Sequence, residues 1–157
     1  MVLDNRNIVV KLNKRRYISL LLFLVAMGVL VLPDVLDDVI FGINKSTLII
    51  EVVLIYVGYI VFAYLLNYYF FRYSDEGSKL VFRFVSLRPF DNRKQAIEVL
   101  KKDFRGFKIN KYFFNLREDL ILRVETKKGV ASYPPISITA LSKKQKSLLI
   151  QSLKQFS

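Results

Sequence analysis

The chain has 157 residues, 25 lysines and arginines against 13 aspartates and glutamates, and neither histidine nor cysteine. That composition excludes disulfides, thiolate and imidazole metal sites, and every catalytic triad or dyad that needs either side chain. A mean hydropathy of +0.31 beside 24% charged residues requires apolar and charged groups to be segregated, and the net charge of +12 divides as +4 over residues 1–16, −2 over 17–46, −1 over 47–71 and +11 over 72–157.

Residues 1–16 form a basic N-terminal segment, in which Lys11, Lys14, Arg15 and Arg16 lead into the apolar run Tyr17 to Leu32. As a helix its 16 positions span about 24 Å, short of the roughly 30 Å of bilayer hydrocarbon. A helix over about 17–33 therefore borrows residues at its ends or sits in a thinned bilayer. A secretory signal peptide shares this pattern, but only Pro33 and Asp34 follow the run, not a small-x-small cleavage site. In the acidic connector Pro33 to Ser46, Asp34, Asp37 and Asp38 lack the glycine-bearing pattern of a calcium loop and read as a solvated helix start or turn.

Thr47 to Phe71, TLIIEVVLIYVGYIVFAYLLNYYFF, is the longest apolar run. As a helix it reaches about 37 Å, enough to span a membrane with some tilt. Glu51 is its one charge and is expected to reach interfacial water or Lys45. Tyr64, Tyr68, Tyr69 and Tyr73 gather beside Arg72 as an aromatic interfacial belt with a cationic anchor does. The positive-inside rule then puts both termini in the cytoplasm and the connector outside. The expectation is a multi-pass protein of the inner membrane, with a two-helix hairpin over 17–71 and a cytoplasmic domain over 72–157.

From Arg72 the hydrophobic period becomes two. Phe71 to Ser74 and Lys79 to Leu87 read as hairpin partners around Asp75 to Ser78, with Leu80, Phe82 and Phe84 on one face. Residues 87–93 form a loop, and Gln95 to Leu100 and Asp103 to Phe114 are further strands, with Gly106 a bulge or bend. Asn115 to Asp119 forms a turn before the strand Leu120 to Thr126, and Lys127 to Gly129 a second. Val130 to Tyr133 and Ile136 to Ile138 are split by Pro134 and Pro135 into a broken edge strand. The chain ends in a helix: Ser142 and Gln145 have capping-box spacing, and Leu149, Leu153 and Phe156 make one apolar face.

An α+β body of about six or seven antiparallel strands closed by a C-terminal helix has the element order of the pleckstrin-homology fold. On LVFRFVSLRPF, AIEVLKKDFRGFKI, LILRVETKKGVASYPPISI and SKKQKSLLIQSLKQF, residues 73–156 resemble the bacterial PH-like domains attached to short transmembrane hairpins. The resemblance implies a β-sandwich or barrel that acts as a binding platform without cofactor or catalysis. It also implies a basic site on the first two strands, for which Lys79 and Arg83 are the matching positions, although Asp75 and Glu76 in the preceding turn would repel phosphate.

The function expected is therefore a non-enzymatic, membrane-anchored module with a protein partner. The alternative is an anionic-lipid sensor that uses Lys79, Arg83, Arg88, Arg93, Lys94, Lys101, Lys102, Arg105, Lys127 and Lys128. Glu118 and Asp119 sit in a turn in this reading, Ser142 is a cap, and no Gly-rich phosphate loop occurs, which argues against an enzyme. Tyr112 and Phe114 could stack bases, but as strand aromatics they are assigned to the core, and nucleic acid is not the expected partner. Self-association is left open.

Overall fold

Alternating apolar positions give strands and the two long apolar runs give helices. The computed structural model, which describes residues 1–32, 39–40, 43–88, 91, 94–127 and 129–156, is α+β. It divides into two units, Met1–Val9 with Leu66–Ser157, and Val10–Leu65. In chain order the described elements are β1 (Val2–Asp4), α1 (Arg6–Val31), β2 (Val39–Ile40), β3 (Ile43–Asn44), α2 (Lys45–Leu65), β4 (Tyr69–Ser74), β5 (Lys79–Ser86), β6 (Lys94–Leu100), β7 (Phe104–Tyr112), β8 (Arg117–Thr126), β9 (Gly129–Ser132), β10 (Ile136–Ser137) and α3 (Lys143–Lys154).

In the helical unit no described residue of α1 or α2 is buried. The Phe23 ring stacks on Tyr56 with centroids 4.1 Å apart, which joins the two helices. Among the described residues α2 is the one helix long and apolar enough to cross a membrane, with a mean hydropathy of 2.4. The apolar part of α1 begins only at Tyr17, behind Lys14, Arg15 and Arg16. Lys45 donates to the Leu32 carbonyl at 3.2 Å. The turn reading of Asp34, Asp37 and Asp38 falls outside the described residues.

Both helix boundaries differ from expectation. α1 starts at Arg6 instead of about Tyr17: the buried Asn5 accepts through its carbonyl from the N–H groups of Ile8 and Val9 and fixes the first turn. α2 stops at Leu65 instead of Phe71. Asn67 adopts a left-handed conformation, φ +49°, the backbone state that commonly terminates helices. The aromatic residues beyond it then enter β4.

The other unit contains two antiparallel sheets. The first has the order β1-β4-β5-β6; in the second, β8 lies between β7 on one edge and β9 and β10 on the other. Tyr73, Leu80, Phe82 and Leu122 are fully buried in one core that both sheets share, and α3 adds Leu149 and Leu153 to it. The Ser142 side chain accepts from the Gln145 N–H at 3.2 Å and the Gln145 side chain accepts from the Ser142 N–H at 3.0 Å, so the expected capping box forms. The bulge falls where Gly106 takes φ +110°, between Phe104 and Phe107. Pro134 and Pro135 separate β9 from β10 along one edge of β8, as the broken strand required.

Two features of this unit correct the reading of the sequence. Val2–Asp4 is an edge strand paired with β4, so the N-terminal residues belong to the sheet body. Glu118 and Asp119 lie within β8, and the turn before it is residues 113–116.

Candidate functional site

Of the ten cations proposed as a contact surface, the eight that are described do not converge. Lys79 and Arg83 share the exposed face of the first sheet, but Lys79 donates to Glu98 at 2.9 Å. Lys79, and more weakly Arg83, hold the Glu98 carboxyl below its ordinary range. This position is an ion pair on a solvated face, not an open phosphate cradle. Lys101 is half-buried: its ammonium donates to the Asp75 carbonyl at 2.7 Å and lies 4.6 Å from the centre of the Phe156 ring. It braces the scaffold. Arg105 pairs with Glu125 across β7 and β8. Lys102 and Lys127 are exposed near the same end of the unit, whereas Lys94 is exposed and Arg88 half-buried near the other end. Arg93 and Lys128 fall outside the described residues.

Asp75, expected to repel phosphate, has inward partners. Burial alone would push its carboxyl up, but the N-terminal ammonium, the Ser152 hydroxyl and Lys101 together hold it below the ordinary range. Ser152 Oγ lies 2.8 Å from both Asp75 Oδ2 and the Tyr73 hydroxyl. Burial pushes the Tyr73 phenol up to about 12.

Sequence reasoning placed the turn that joins β7 to β8 at Asn115 to Asp119, whereas it occupies residues 113–116, with Phe114 inside it. Tyr112 pairs with Arg117, and the Leu116 N–H donates to the Phe113 carbonyl at 3.0 Å. Phe114 and Asn115, the central residues, take φ +54° and +69°. This is the sense of a type I′ turn, where Asn-Gly is the usual pair. Phe113 is also left-handed, φ +51°, and such conformations cost about 1–3 kcal/mol at each non-glycine residue. The Phe114 side chain is wholly exposed, and Tyr112, Phe113 and Leu116 are 43%, 48% and 52% exposed. The aromatic residues assigned to the core are thus displayed at a hairpin tip.

An ion pair ties down the base of the tip. Arg117 donates to Asp119 at 2.7 Å, and the Asp119 side chain is almost fully buried. Its guanidinium lies 5.4 Å from the Tyr112 ring centre. The hydrogen bond to Asp119, opposed by desolvation, keeps Arg117 more firmly protonated than an ordinary arginine. Beside it, Glu118 accepts from Lys146 at 2.7 Å, and the adjacent Gln145 side chain donates to the Asp4 carbonyl at 2.6 Å, which ties this end of β8 to the residues before α1.

Tyr69 opens β4, three residues after the end of α2. Asn5, which precedes α1, donates from its side chain to the Tyr69 carbonyl at 2.9 Å. The two points at which the chain leaves this unit, after Val9 and before Leu66, therefore share one end with the hairpin tip.

An open groove of about 600 Å³ runs between α3 and the β7–β8 pair. Ile109 and Ile150 supply apolar lining, and Lys111, Lys143, Lys146 and Lys154 supply positive charge. Glu118 accepts from Lys146 at 2.7 Å and lies 3.8 Å from Lys111, so it holds two of these cations in place. The described residues contain no group of three or more carboxylates able to hold a metal ion. The unit thus offers surfaces for binding: an apolar tip, a cationic groove and a solvated charged sheet face. Comparison with family models, curated proteins and solved structures gives no match.

Proposed function

We propose that the chain is a non-enzymatic, membrane-anchored binding module whose PH-like body engages a protein partner at the cytoplasmic face of the membrane. The observation that carries this reading is α2, 21 residues, apolar and nowhere buried, joined through Leu66, Asn67 and Tyr68 to β4 of a folded body. An apolar helix of that length is stable without protein cover only in a bilayer or against a partner. The stacked Phe23 and Tyr56 support α1 as its companion in a hairpin, with Lys14, Arg15 and Arg16 at the cytoplasmic boundary. The order of a meander, a second antiparallel sheet and a C-terminal helix supports the PH-like assignment, although β1 supplies the fourth strand of the first sheet. The cationic groove beside α3 suits an acidic segment of the partner.

Membrane fractionation and reporter fusions test this reading. The chain should stay with membranes through an alkaline carbonate wash. A reporter active only outside the cytoplasm should be silent after Ser157 and active within residues 33–46. Release by carbonate, or the reverse reporter pattern, overturns the anchor or its orientation. Crosslinking followed by purification in mild detergent should yield a protein that is lost when Lys143 and Lys146 are both replaced by Glu.

A second reading, an anionic-lipid sensor, is favoured by Arg72 and Arg83, which face each other across exposed strands. Like charges in that position destabilise a sheet unless an anion approaches, and each basic residue near a charged leaflet gains about 1 kcal/mol. Hydrogen exchange of the full chain in neutral and in anionic nanodiscs separates the readings. Equal protection of β4 and β5 in both removes the lipid version.

A further inference from the structure

We propose that the β7–β8 hairpin tip is a second membrane-contacting element, which inserts Phe113, Phe114 and Leu116 into the headgroup and upper acyl region of the leaflet next to the body. The inference rests on the membrane-anchored reading and adds a surface to it.

Exposure of single apolar residues is ordinary on a protein surface, but here several lie together on one short turn. Its backbone is left-handed at three consecutive non-glycine residues, a state that asparagine or glycine would adopt with less strain. Strain of this kind persists where the surrounding structure enforces it and is concentrated at binding sites. The paired strands and the Arg117–Asp119 contact supply that enforcement and hold the rings away from the body.

Position selects the occupant. The tip lies at the end of the unit marked by Asp4, Asn5 and Tyr69, where the chain continues into both helices. Whatever the angle between the units, Val9 and Leu66 are covalently next to the helices, so this end remains within reach of the surface that holds them. Charge agrees with this assignment: Lys111 and Arg117 flank the aromatic residues. Glu118 and Asp119 hold these two cations at the base of the tip, and aromatic residues favour the interface itself. A lipid surface fits a convex apolar tip with two cations at its base better than a protein groove would, because it requires no matching shape.

The chain contains no tryptophan, so a single introduced Trp reports its own surroundings. Full-length Phe114→Trp, Phe62→Trp in α2 and Val130→Trp in β9 are reconstituted into vesicles containing lipids brominated near the headgroup end of their chains. Leu116→Trp repeats the tip measurement should Phe114→Trp fail to fold. The expected result is blue-shifted emission from the tip Trp that loses most of its intensity to bromine, with Phe62→Trp also quenched across its series of bromine depths. The Val130→Trp emission should remain red and unquenched. A quenched Phe62→Trp with a red, unquenched tip overturns the inference and leaves the anchor intact. Blue but unquenched tip emission assigns the surface to a second copy or a protein partner and also overturns it. An unquenched Phe62→Trp at every depth removes the anchor, and the inference falls with it.

Discussion

Asn5 and Phe71 are bound to each other through both backbone and side chain. The Phe71 N–H donates to Asn5 Oδ1 at 2.8 Å, and the Asn5 N–H donates to the Phe71 carbonyl at 3.2 Å. Asn5 is almost fully buried, and its carbonyl also accepts from the N–H groups of Ile8 and Val9. One side chain therefore fixes the start of α1 to the beginning of β4.

Replacing Asn5 by Ala removes the acceptor from a buried N–H and the donor to Tyr69. The expected cost is about 1–3 kcal/mol, the penalty of leaving such a group unsatisfied. Thermal unfolding of the detergent-solubilised chain, followed by near-ultraviolet circular dichroism of its tyrosines, should show the loss. Lys102→Ala, at an exposed position, should change stability by no more than about 0.5 kcal/mol. Equal midpoints for the two variants would mean that the clamp contributes nothing.

Alkaline pH isolates a second buried group. Tyr73 keeps its proton to about 12 in the folded chain, whereas an unfolded tyrosine loses it near 10. Between those values the unfolded state binds fewer protons, so stability is complete below about pH 10 and falls as pH rises toward 12. A shift of this size corresponds to about 3 kcal/mol. Tyr73→Phe should lose about 1 kcal/mol at neutral pH with its hydrogen bond but show a shallower decline above pH 10. Parallel curves for the two proteins would refute the assignment.

The sheet body was legible where one face is apolar and the other polar. Leu80, Phe82 and Phe84 alternate with exposed Arg83 and half-buried Val81 and Val85 in β5, and Ser142 with Gln145 marked the start of α3. The position of the helix-to-strand change was not, because Tyr69 to Phe71 is apolar in either conformation. Asn67 was the available signal, an αL-tolerant residue inside a greasy run. β1 escaped notice because three residues carry no measurable period, and their role depends on pairing with β4, some seventy residues away. The site was read least well. Charge counts cannot tell a cation held by Glu98 or Asp75 from a free one, and an aromatic pair in a turn has the same letters as one in a core.

The Arg117–Asp119 contact is predicted to be structural at the base of the tip. Arg117→Ala leaves a buried carboxylate without its main partner, and such losses cost about 3–5 kcal/mol. Replacing both residues by leucine removes the charge together with its partner and should recover much of that stability. Chemical denaturation of the two variants provides the comparison. A double variant no more stable than Arg117→Ala would show that the aspartate was not the source of the loss.

Packing of α3 makes the last prediction and links the core to the groove. Leu149 is fully buried, whereas Leu148, its neighbour, is 39% exposed. Truncating Leu149 to Ala deletes three methyl or methylene equivalents from the shared core and should cost about 2–5 kcal/mol, while Leu148→Ala should stay near 0.5 kcal/mol. Because α3 carries Lys143, Lys146 and Lys154, loosening it should also disperse the cations that line the groove. Crosslinking to an acidic partner should then weaken in Leu149→Ala before the chain unfolds globally, as a titration at increasing denaturant would reveal. Retained stability in Leu149→Ala would mean that α3 does not dock on the sheets, and the groove would have no second wall.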